Sequence, residues 1–336
     1  MSIAEIKDYI ATLIHDGVAF LYFVYIRKEY KRVHNRKESV TSRNSGNSVQ
    51  CNWKFSNEIK LCNAVPITAK ILLKKSCEEY PFVLKDSLPV RSNDILISVI
   101  IGHRGLERIE HLEKTIDSFF GQTFSQFEII VVESDQVSRL KLREEIQHVF
   151  CANKTKEPYN RAQTFNVGAR MARGQLLVLH DNDMIVPSTY LQELYDRYCE
   201  GYKFINIKRF IFYLSETTSK HYRATSKLDY ENFIFESVVQ NLEGGGSAAA
   251  CKDSFFEIGG MDESFVGWGG EDNEFWERAS TRSVYSAGSQ PIIHIWHPSQ
   301  KEKKERDTAS GVKRYFDLQK VDAFTRIENL KRSKSG

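Results

Sequence analysis

Two acidic residues, Asp181 and Asp183, stand directly after a run of apolar residues and one histidine. The apolar run, residues 176–179, predicts a buried strand, so the two carboxylates would emerge at the edge of a sheet. Ligands of open α/β sheets bind at the carboxyl ends of the strands. Hard divalent cations such as Mg²⁺ and Mn²⁺ prefer oxygen ligands and pair with substrate phosphates. The pattern indicates a clamp for a metal ion and a diphosphate, with a turn as the commoner alternative.

Two earlier predicted strands also end in polar residues. Residues 95–101 run into a Gly-His-Arg-Gly segment that contains His103 and Arg104, and residues 127–132 run into Glu133-Ser134-Asp135. One polar strand end is unremarkable. Three at the same edge of a sheet outline one binding site.

A glycine-rich segment lies later in the chain. Residues 244–270 hold eight of the nineteen glycines. Such a concentration lets the backbone approach a ligand closely or adopt a positive φ. A phosphate-binding loop is excluded because neither GxxxxGK[ST] nor a strand–GxGxxG–helix pattern occurs. Trp268, flanked by glycines, is predicted to be an exposed platform for a sugar ring, with a buried tryptophan as the alternative.

Glu271 and Asp272 follow the glycines and open a predicted helix. Carboxylates at a helix N-terminus interact favourably with the helix dipole, so capping alone would explain both acids. A last predicted strand, residues 292–298, carries His294 and His297. A strand does not present two such side chains to one face as readily as a helix, so we expect one histidine to be structural.

The elements that position these residues alternate between strand and helix. This alternation predicts right-handed βαβ crossovers and a mostly parallel sheet. The remaining predicted elements are a helix after the first strand (around 112–119), helices over 138–150, 160–173 and 187–199, a strand over 203–214, a loop and helix over 215–243 above the site, and a helix-prone tail.

The bulk composition is that of a globular protein with a packed core. Of 336 residues, 41% are hydrophobic and 27% charged. The net charge of +3 is uneven, since residues 1–50 carry +3 and residues 301–336 carry +5. Basic ends on an acidic body argue against a nucleic-acid groove and suit an anionic surface. The six cysteines lack metal-binding spacing, so we expect reduced thiols in the cytoplasm.

The N-terminal region gives a separate pattern. Residues 3–37 predict a helix or a broken pair of helices, apolar at first and basic at the end. This pattern fits a helix at a membrane interface or one packed on the domain. No signal peptide is evident, and the longest apolar run, residues 18–26, is too short to span a bilayer. Residues 38–50 predict a linker or mobile loop, and residues 51–94 give only short strand-like pieces.

Three blocks of the chain resemble the β1,4-galactosyltransferase family and related bacterial family 2 glycosyltransferases with the GT-A fold, including chondroitin-polymerase-like enzymes. The blocks are YNRAQTFNVGARMARGQLLVLHDNDM, GGGSAAACKDSFFEIGGMDESFVGWGGEDNEF and HIWHPSQKEKK. The resemblance covers residues 95–304. It implies an inverting transfer of a sugar from a UDP-sugar to an acceptor hydroxyl, with Mn²⁺ or Mg²⁺ on the diphosphate.

The resemblance also implies roles for individual residues. The metal ligands would be Asp183 and His297, with His294 in reserve and Asp181 facing the metal or the ribose. The general base would be Asp272. The acceptor sugar would be held by Trp268, Glu271, Gly269 and Gly270, and the donor by His103, Arg104, Glu133, Arg161, Asp181 and Gly245.

The chain departs from the family pattern in two places. Asn273 replaces a third acid, and Gly102-His103-Arg104-Gly105 replaces a proline-aromatic-arginine motif. The animal enzymes have a membrane anchor that we do not identify here, so we expect a bacterial protein, cytoplasmic or peripheral on the inner face of the plasma membrane.

We therefore predict an α/β, GT-A fold with an N-terminal helical extension. The predicted divisions are an N-terminal segment (1–50), an extension (51–93), a catalytic domain (94–300) and a basic tail (301–336). The predicted enzyme transfers galactose, N-acetylgalactosamine or glucose to a saccharide acceptor, either free or lipid-linked, in O-antigen or capsule synthesis. The alternatives are a nucleotidyltransferase and a carbohydrate-binding protein with a degenerate site.

Overall fold

The computed structural model describes residues 2–36, 38–43, 46–51, 57–87, 94–153, 158–240, 244–299 and 309–335. Its α-helices are α1 (Ile3–Phe20), α2 (Lys60–Ala64), α3 (Ile67–Glu79), α4 (Ile109–Phe120), α5 (Arg161–Met171), α6 (Tyr190–Cys199), α7 (Glu216–Thr225), α8 (Lys252–Glu257), α9 (Glu271–Ala279), α10 (Ser310–Leu318) and α11 (Ala323–Ser335). Its strands are β1 (Glu38–Arg43), β2 (Gly46–Cys51), β3 (Asn57–Glu58), β4 (Ile97–His103), β5 (Phe127–Asp135), β6 (Gln147–Ala152), β7 (Leu176–His180), β8 (Met184–Ile185), β9 (Phe204–Ile205), β10 (Lys208–Leu214), β11 (Phe235–Gln240), β12 (Ser247–Cys251), β13 (Val284–Tyr285) and β14 (Gln290–His294).

The central sheet is mixed and largely parallel. In the described part of the chain it has seven strands, in the order β13-β9-β12-β7-β4-β5-β6. Strands β7, β4, β5 and β6 are parallel, and β12 is antiparallel to β7 and β9. Ile101 pairs with His180, and His103 pairs with Glu133. The carboxyl ends of β4, β5 and β7 therefore share one edge, as the sequence predicts.

Helices cover both faces of this sheet. Val99 and Ile101 of β4 pack in one core cluster with Leu112 of α4, whereas Ile100 packs in another with Phe165 of α5. A strand buried on both faces carries mostly apolar side chains on both, which explains the nearly continuous apolar runs of the sequence. The predicted fold class is confirmed: α/β, with a mixed and mostly parallel sheet flanked by helices.

A second sheet carries the late histidines. Among the described residues its strand order is β3-β11-β10-β14-β8, and β10 runs parallel to β14. Tyr213 of β10 pairs with His294, the last residue of β14. His294 also pairs with Met184 of β8, directly after Asp183. This pairing brings the end of the second sheet to the end of β7.

The N-terminal helix packs on the second sheet. Phe20 and Phe23 belong to the same core cluster as Phe210 and Phe212 of β10. Helix α1 continues through a π-helical turn, Leu21–Ile26. The combined helix Ile3–Ile26 is long and apolar enough, by length and composition alone, to cross a membrane. The apolar run of the sequence is therefore only part of a longer apolar helix.

The predicted helix over residues 138–150 is wrong. Residues 138–142 form a loop, and residues 147–152 form strand β6 at the edge of the sheet. The side chains of β6 alternate between half-buried and exposed, which is the period of a strand. The Glu133 carboxylate accepts the backbone N–H groups of Arg139 and Leu140, at 2.8 and 3.3 Å, and so fixes the loop in place of a helix.

Two further expectations for local structure are wrong, and a third is only partly met. Residues 67–75 lie in helix α3, where Ala69, Leu72 and Leu73 are buried at helical spacing. Residues 38–50 contain the antiparallel strands β1 and β2 instead of a linker. The predicted strand over 203–214 divides into β9 and β10, which lie in different sheets. The helix-prone tail forms α10 and α11, as predicted.

Candidate active site

One cavity of 680 Å³ lies at the carboxyl edge of the central sheet. Its size is within the range of small-molecule sites, about 300–1,000 Å³. The predicted site residues that line it are His103, Arg104, Arg161, Asp181, Asp183, Gly245, Trp268, Glu271, Asp272 and His297. Residues from β4, β7, α5, α9 and the segment after β14 therefore meet in one place.

Asp183, His294 and His297 form a group that fits a metal ion. One donor atom from each residue lies within 4.8 Å of the other two. The Nε2 atoms of His294 and His297 lie 3.7 and 3.2 Å from the Asp183 carboxylate. Strand β14 ends at His294, so the alternation of a strand does not govern His297. The structure brings both histidines to Asp183, where we expected one of them to be structural.

The surroundings of the two imidazoles orient their rings. The Nδ1 atom of His297 lies 2.9 Å from the carbonyl oxygen of Pro298. Arg108 donates to the same Nδ1 at 3.0 Å. With that guanidinium displaced, Nδ1–H can donate to the Pro298 oxygen, as the second ring nitrogen of a metal-binding histidine commonly does, and the Nε2 lone pair is left for the ion. The ring of Tyr213 stacks on His294, with centroids 4.3 Å apart and planes 27° apart.

Arg108 lies beside this group and was missed by sequence reasoning. Its guanidinium is 3.2 Å from the Asp183 carboxylate and 3.0 Å from His297 Nδ1. Burial acts to raise the pKa of Asp183, but His294, His297 and Arg108 outweigh burial and hold that pKa well below its usual range. A signal was present, because Arg108 directly precedes the helix that follows β4. That position lies at the same sheet edge as Arg104.

Arg161 organises the opposite side of the cavity. It is the first residue of α5, and its Nε donates to the Asp181 carboxylate at 2.6 Å. Its Nη1 also binds Asp272 and lies 3.6 Å from Glu271. Glu271 and Asp272 open α9, as the sequence predicts. One guanidinium therefore holds three carboxylates.

Burial and the close approach of these carboxylates raise the pKa values of Glu271 and Asp181. Burial, together with the neighbouring Asp272, raises the pKa of Glu271 to about 7 against the opposing effect of Arg161. Burial also raises the pKa of Asp181 to about 6, although Arg161 opposes it. A single positive charge does not balance three negative ones. This side of the cavity therefore retains protons close to neutral pH.

Asp181 was expected to face the metal or the ribose. Its carboxylate binds Arg161, and it is outside the group of Asp183, His294 and His297. Arg161 was expected to contact the donor, but the hydrogen bonds and ion pairs described for its guanidinium are with Asp181, Glu271 and Asp272. The two aspartates of the Asp-Asn-Asp segment thus point to different sides of the cavity.

Glu133 was expected to contact the donor but lies beneath the cavity. It is buried, and its carboxylate binds Ser138, His148 and backbone N–H groups of the following loop. Strand β5 runs further than predicted, through Asp135. Asp135 lines the cavity in place of Glu133.

His103 lines the cavity with both ring nitrogens engaged. Its Nε2 lies 2.8 Å from the Gly105 carbonyl oxygen, and its Nδ1 lies 2.8 Å from the amide nitrogen of Asn182. The amide donates to Nδ1, so the ring N–H is on Nε2. Burial lowers the pKa of His103 and favours this neutral form. The ring therefore joins the loop after β4 to the loop after β7.

The glycines around Trp268 have separate roles. Gly267, Gly269 and Gly270 have φ values of +84°, +102° and +90°, which only glycine adopts freely. A Cβ on Gly270 would lie 2.7 Å from the carbonyl oxygen of Gly311 in α10. Gly269 and Gly270 were expected at the acceptor; Gly270 admits the backbone of α10, and a Cβ on Gly269 would lie 2.9 Å from the Val312 side chain. Trp268 is half-buried and lines the cavity, where its ring is available to a ligand.

Comparison with known families agrees with this site. Residues 104–256 match the model of glycosyl transferase family 2, and residues 227–293 match the model described as the N-terminal domain of galactosyltransferase. The first match includes Arg161, Asp181 and Asp183. These matches confirm the predicted resemblance and the predicted enzyme class, a glycosyltransferase.

Two curated proteins are similar to parts of the chain. Chondroitin synthase from Escherichia coli is 31% identical over 109 residues, which are 32% of this chain and 15% of that protein. Beta-1,4-galactosyltransferase 5 from Sus scrofa is 30% identical over 126 residues, which are 36% of this chain and 26% of that protein. The chain thus spans about a quarter or less of the length of these relatives.

Among solved structures, GalNAc-T7 with UDP, GalNAc and Mn²⁺ matches with 17% sequence identity and a TM-score of 0.43. The match covers 62% of this chain and 45% of that chain.

Proposed function

We propose that this chain is a metal-dependent, inverting glycosyltransferase that moves a hexose or N-acetylhexosamine from a UDP-sugar to a saccharide hydroxyl. The observation that carries the proposal is the arrangement of one cavity. A metal-binding group of Asp183, His294 and His297 lies on one side, and the carboxylates of Glu271 and Asp272 lie on the other. Transfer from a nucleotide-sugar needs both groups: a metal ion at the leaving diphosphate and a carboxylate base at the attacking hydroxyl.

The donor atoms favour Mn²⁺ over Mg²⁺. Mg²⁺ is bound mostly by oxygen and keeps several waters, whereas two imidazoles suit a transition metal. A bound divalent ion would neutralise the charge that develops on the departing diphosphate. Asp183 supplies the single carboxylate, and both imidazoles bind without adding negative charge. Because these ligands carry only one negative charge, a bound divalent ion would keep a net positive charge and would still attract the diphosphate.

Two arginines would assist the donor. Arg104 and Arg108 line the cavity, and Arg108 lies beside Asp183. A metal ion on Asp183 would displace the guanidinium of Arg108 from that carboxylate. Guanidinium groups bind phosphate oxygens with two parallel hydrogen bonds. We therefore assign Arg108 to the donor diphosphate, together with Arg104.

Asp272 would act as the general base. Inversion by a single displacement needs one carboxylate that accepts the proton of the attacking hydroxyl. Asp272 is tied to Arg161, which fixes the carboxylate in position. Trp268 lines the same part of the cavity and would offer an apolar ring face to the acceptor sugar. Glu271 would bind an acceptor hydroxyl.

We further propose galactose, N-acetylgalactosamine or glucose as the donor sugar, and a bacterial surface polysaccharide such as O-antigen or capsule as the product. Similarity to an Escherichia coli chondroitin synthase supports the polysaccharide. Similarity to a β1,4-galactosyltransferase supports a galactose-type donor. The acceptor would be a saccharide, either free or lipid-linked, that the enzyme binds on the cytoplasmic side of the membrane.

The test is release of UDP from a panel of UDP-sugars, with and without Mn²⁺. We expect slow, Mn²⁺-dependent hydrolysis of one donor and faster release with a saccharide acceptor. Pyrophosphate release from a nucleoside triphosphate and a sugar phosphate would instead indicate a nucleotidyltransferase. Binding of UDP and Mn²⁺ without turnover on a broad acceptor panel would indicate a carbohydrate-binding protein.

A further inference from the structure

The outward face of α1 is apolar although no described part of the chain covers it. Six aliphatic residues on this face are between 43% and 75% exposed: Ile3, Ile6, Ile10, Ile14, Val18 and Leu21. The opposite face is also apolar and packs on the body through Ala19, Phe20 and Phe23. A surface helix normally turns polar residues outwards. A continuous apolar stripe of this length marks an interaction surface.

The spacing of the stripe distinguishes between kinds of partner. The five steps from Ile3 to Leu21 cover 18 residues, a mean of 3.6 residues for each step. This equals the period of a straight α-helix, about 3.6, so the stripe runs parallel to the helix axis. A seam for a second helix alternates steps of three and four residues, an average of about 3.5. The steps here are 3, 4, 4, 4 and 3 residues, and the three consecutive steps of four break that alternation. A straight stripe fits a flat apolar surface.

The end of the helix carries groups suited to a membrane interface. Tyr22 and Tyr25 are exposed at the last turn, followed by the exposed cations Arg27 and Lys28. Tyrosine is enriched where acyl chains meet headgroups. Cations beside a membrane are attracted by anionic headgroups. Arg27 has a partly exposed acidic neighbour, Glu29, at 3.4 Å, and Lys28 projects from a residue with a φ of +56°.

Contacts with the body keep the helix parallel to the protein surface. The buried side chain of Arg209 donates to the carbonyl oxygens of Lys31 and Val33, at 2.9 and 2.5 Å. The buried Asp16 carboxylate accepts the N–H of Leu61 at 3.4 Å. To cross a bilayer, the helix would have to expose Asp16 and give up its packing on the second sheet. Lying in the interface preserves both.

We propose that α1 is an in-plane membrane anchor that lays its outer face on an anionic phospholipid surface. The apolar stripe enters the boundary between headgroups and acyl chains, and Arg27 and Lys28 meet the phosphates. Because α1 is fixed to the strand that carries Tyr213, the anchor also fixes the cavity relative to the membrane. The inference goes beyond the proposed function and does not depend on it.

The experiment is sedimentation of the full chain with vesicles of phosphatidylcholine alone or mixed with phosphatidylglycerol. We expect binding to the anionic vesicles that weakens in high salt. Ile14→Glu with Val18→Glu should weaken binding by about tenfold or more, since each removes an exposed aliphatic side chain that would enter the membrane boundary. Ile234→Glu is the control, because Ile234 is 56% exposed and lies outside the stripe. It should bind like the unmodified chain.

A second pair separates charge from apolar contact. Arg27→Gln with Lys28→Gln should weaken binding to anionic vesicles by about fivefold or more. Lys320→Gln, a substitution at an exposed lysine of the tail, should not. Circular dichroism and thermal unfolding check that every variant is folded, and titration of UDP with Mn²⁺ tests the proposed function separately.

Three results would overturn the proposal. The first is no sedimentation with either vesicle. The second is a concentration-dependent dimer that Ile14→Glu with Val18→Glu abolishes, which would make a second copy the partner. The third is retention in the membrane after alkaline extraction, which would make the helix a span.

Discussion

On the side of the cavity formed by β7 and β14, one carboxylate faces two imidazoles and a guanidinium, whereas on the side formed by α5 and α9 three carboxylates share one guanidinium. The first arrangement lowers the pKa of Asp183, and the second raises the pKa of Glu271 to about 7. A group that binds a cation needs an ionised carboxylate and neutral ligands. On the acidic side, Asp272 is the carboxylate that would receive the proton of the attacking hydroxyl, and Glu271 beside it holds a proton close to neutral pH. The two sides therefore suit the two ends of a glycosyl transfer.

The largest effect is expected on the acidic side. Asp272→Asn should lower acceptor-dependent turnover by about a thousandfold, because general acid–base catalysis contributes roughly 10²–10⁴. The affinity for UDP with Mn²⁺ should change little. Steady-state rates and calorimetric titration measure the two quantities. Loss of both together would show that Asp272 also belongs to the donor site.

The next effect distinguishes the two aspartates of the Asp-Asn-Asp segment. Asp183→Asn should weaken Mn²⁺ binding by about a hundredfold or more, since even indirect changes at metal sites cost about 10–100-fold. Asp181→Asn is the matched control and should change the Mn²⁺ affinity by less than about threefold. Mn²⁺ titration followed by electron paramagnetic resonance measures both. Equal losses would place the ion between the two carboxylates.

A smaller effect should appear at Arg108. Arg108→Gln should raise the affinity for Mn²⁺ without donor by about tenfold, because a cation beside Asp183 is removed. The same variant should weaken the binding of UDP. Arg139→Gln is the control, since Arg139 also lines the cavity but its ion pair is with Asp135, at 3.9 Å, and its metal affinity should be unchanged. A fall in Mn²⁺ affinity for Arg108→Gln would show that the guanidinium supports the metal ligands.

The acidic side should also make stability depend on pH. The folded-state pKa of Glu271, about 7, lies above its ordinary 4.5, so the folded protein binds this proton more tightly than the unfolded chain. The resulting stabilisation is complete below about pH 4.5 and is lost as the pH rises to about 7. It amounts to about 1–2 kcal/mol after allowance for screening.

Urea unfolding of the metal-free protein across this pH range measures the effect. Asp181, with a pKa raised from 3.8 to about 6, adds its own decline over that lower range, so Glu271→Gln should flatten mainly the decline between about pH 6 and 7. Asp183 does not interfere, because its lowered pKa changes stability only below about pH 3.8. The same slope in both proteins would assign the pH dependence to other groups.

The smallest effect is expected from the ring that stacks on His294. Tyr213→Leu should weaken Mn²⁺ binding by about threefold, because the imidazole loses its orienting partner. Tyr213→Phe keeps the ring and should bind Mn²⁺ normally. Comparing the two variants separates stacking from the loss of the hydroxyl group. Weaker binding by both would assign the effect to the hydroxyl.

The sequence predicts the parts of this site that depend on local pattern. The apolar runs before His103, Glu133 and Asp181 place three strand ends at one edge, because parallel strands buried on both faces have that pattern. Glu271 and Asp272 open a helix as expected. The glycines beside Trp268 are at positive φ, which is a backbone requirement that residue type alone reveals.

Other parts depend on tertiary contacts that the sequence does not display. His294 and His297 converge only because β14 ends at the first of them and pairs beside Asp183. Helical spacing over 138–150 gives way to a loop because the Glu133 carboxylate binds its backbone. The position of Arg161 among three acids requires the first residues of α5 and α9 to lie together beside the end of β7. No local sequence pattern shows that these distant segments come together.

The most direct test is the position of manganese in a crystal of the protein with UDP, located by anomalous scattering at the manganese edge. We predict one anomalous peak in direct contact with the Asp183 carboxylate and the imidazoles of His294 and His297. The diphosphate of UDP should bind the manganese on the side that these three ligands leave open. A peak held by Asp181 and the Glu271–Asp272 pair, with His294 and His297 unbound, would contradict the division of the cavity into a metal side and a base side.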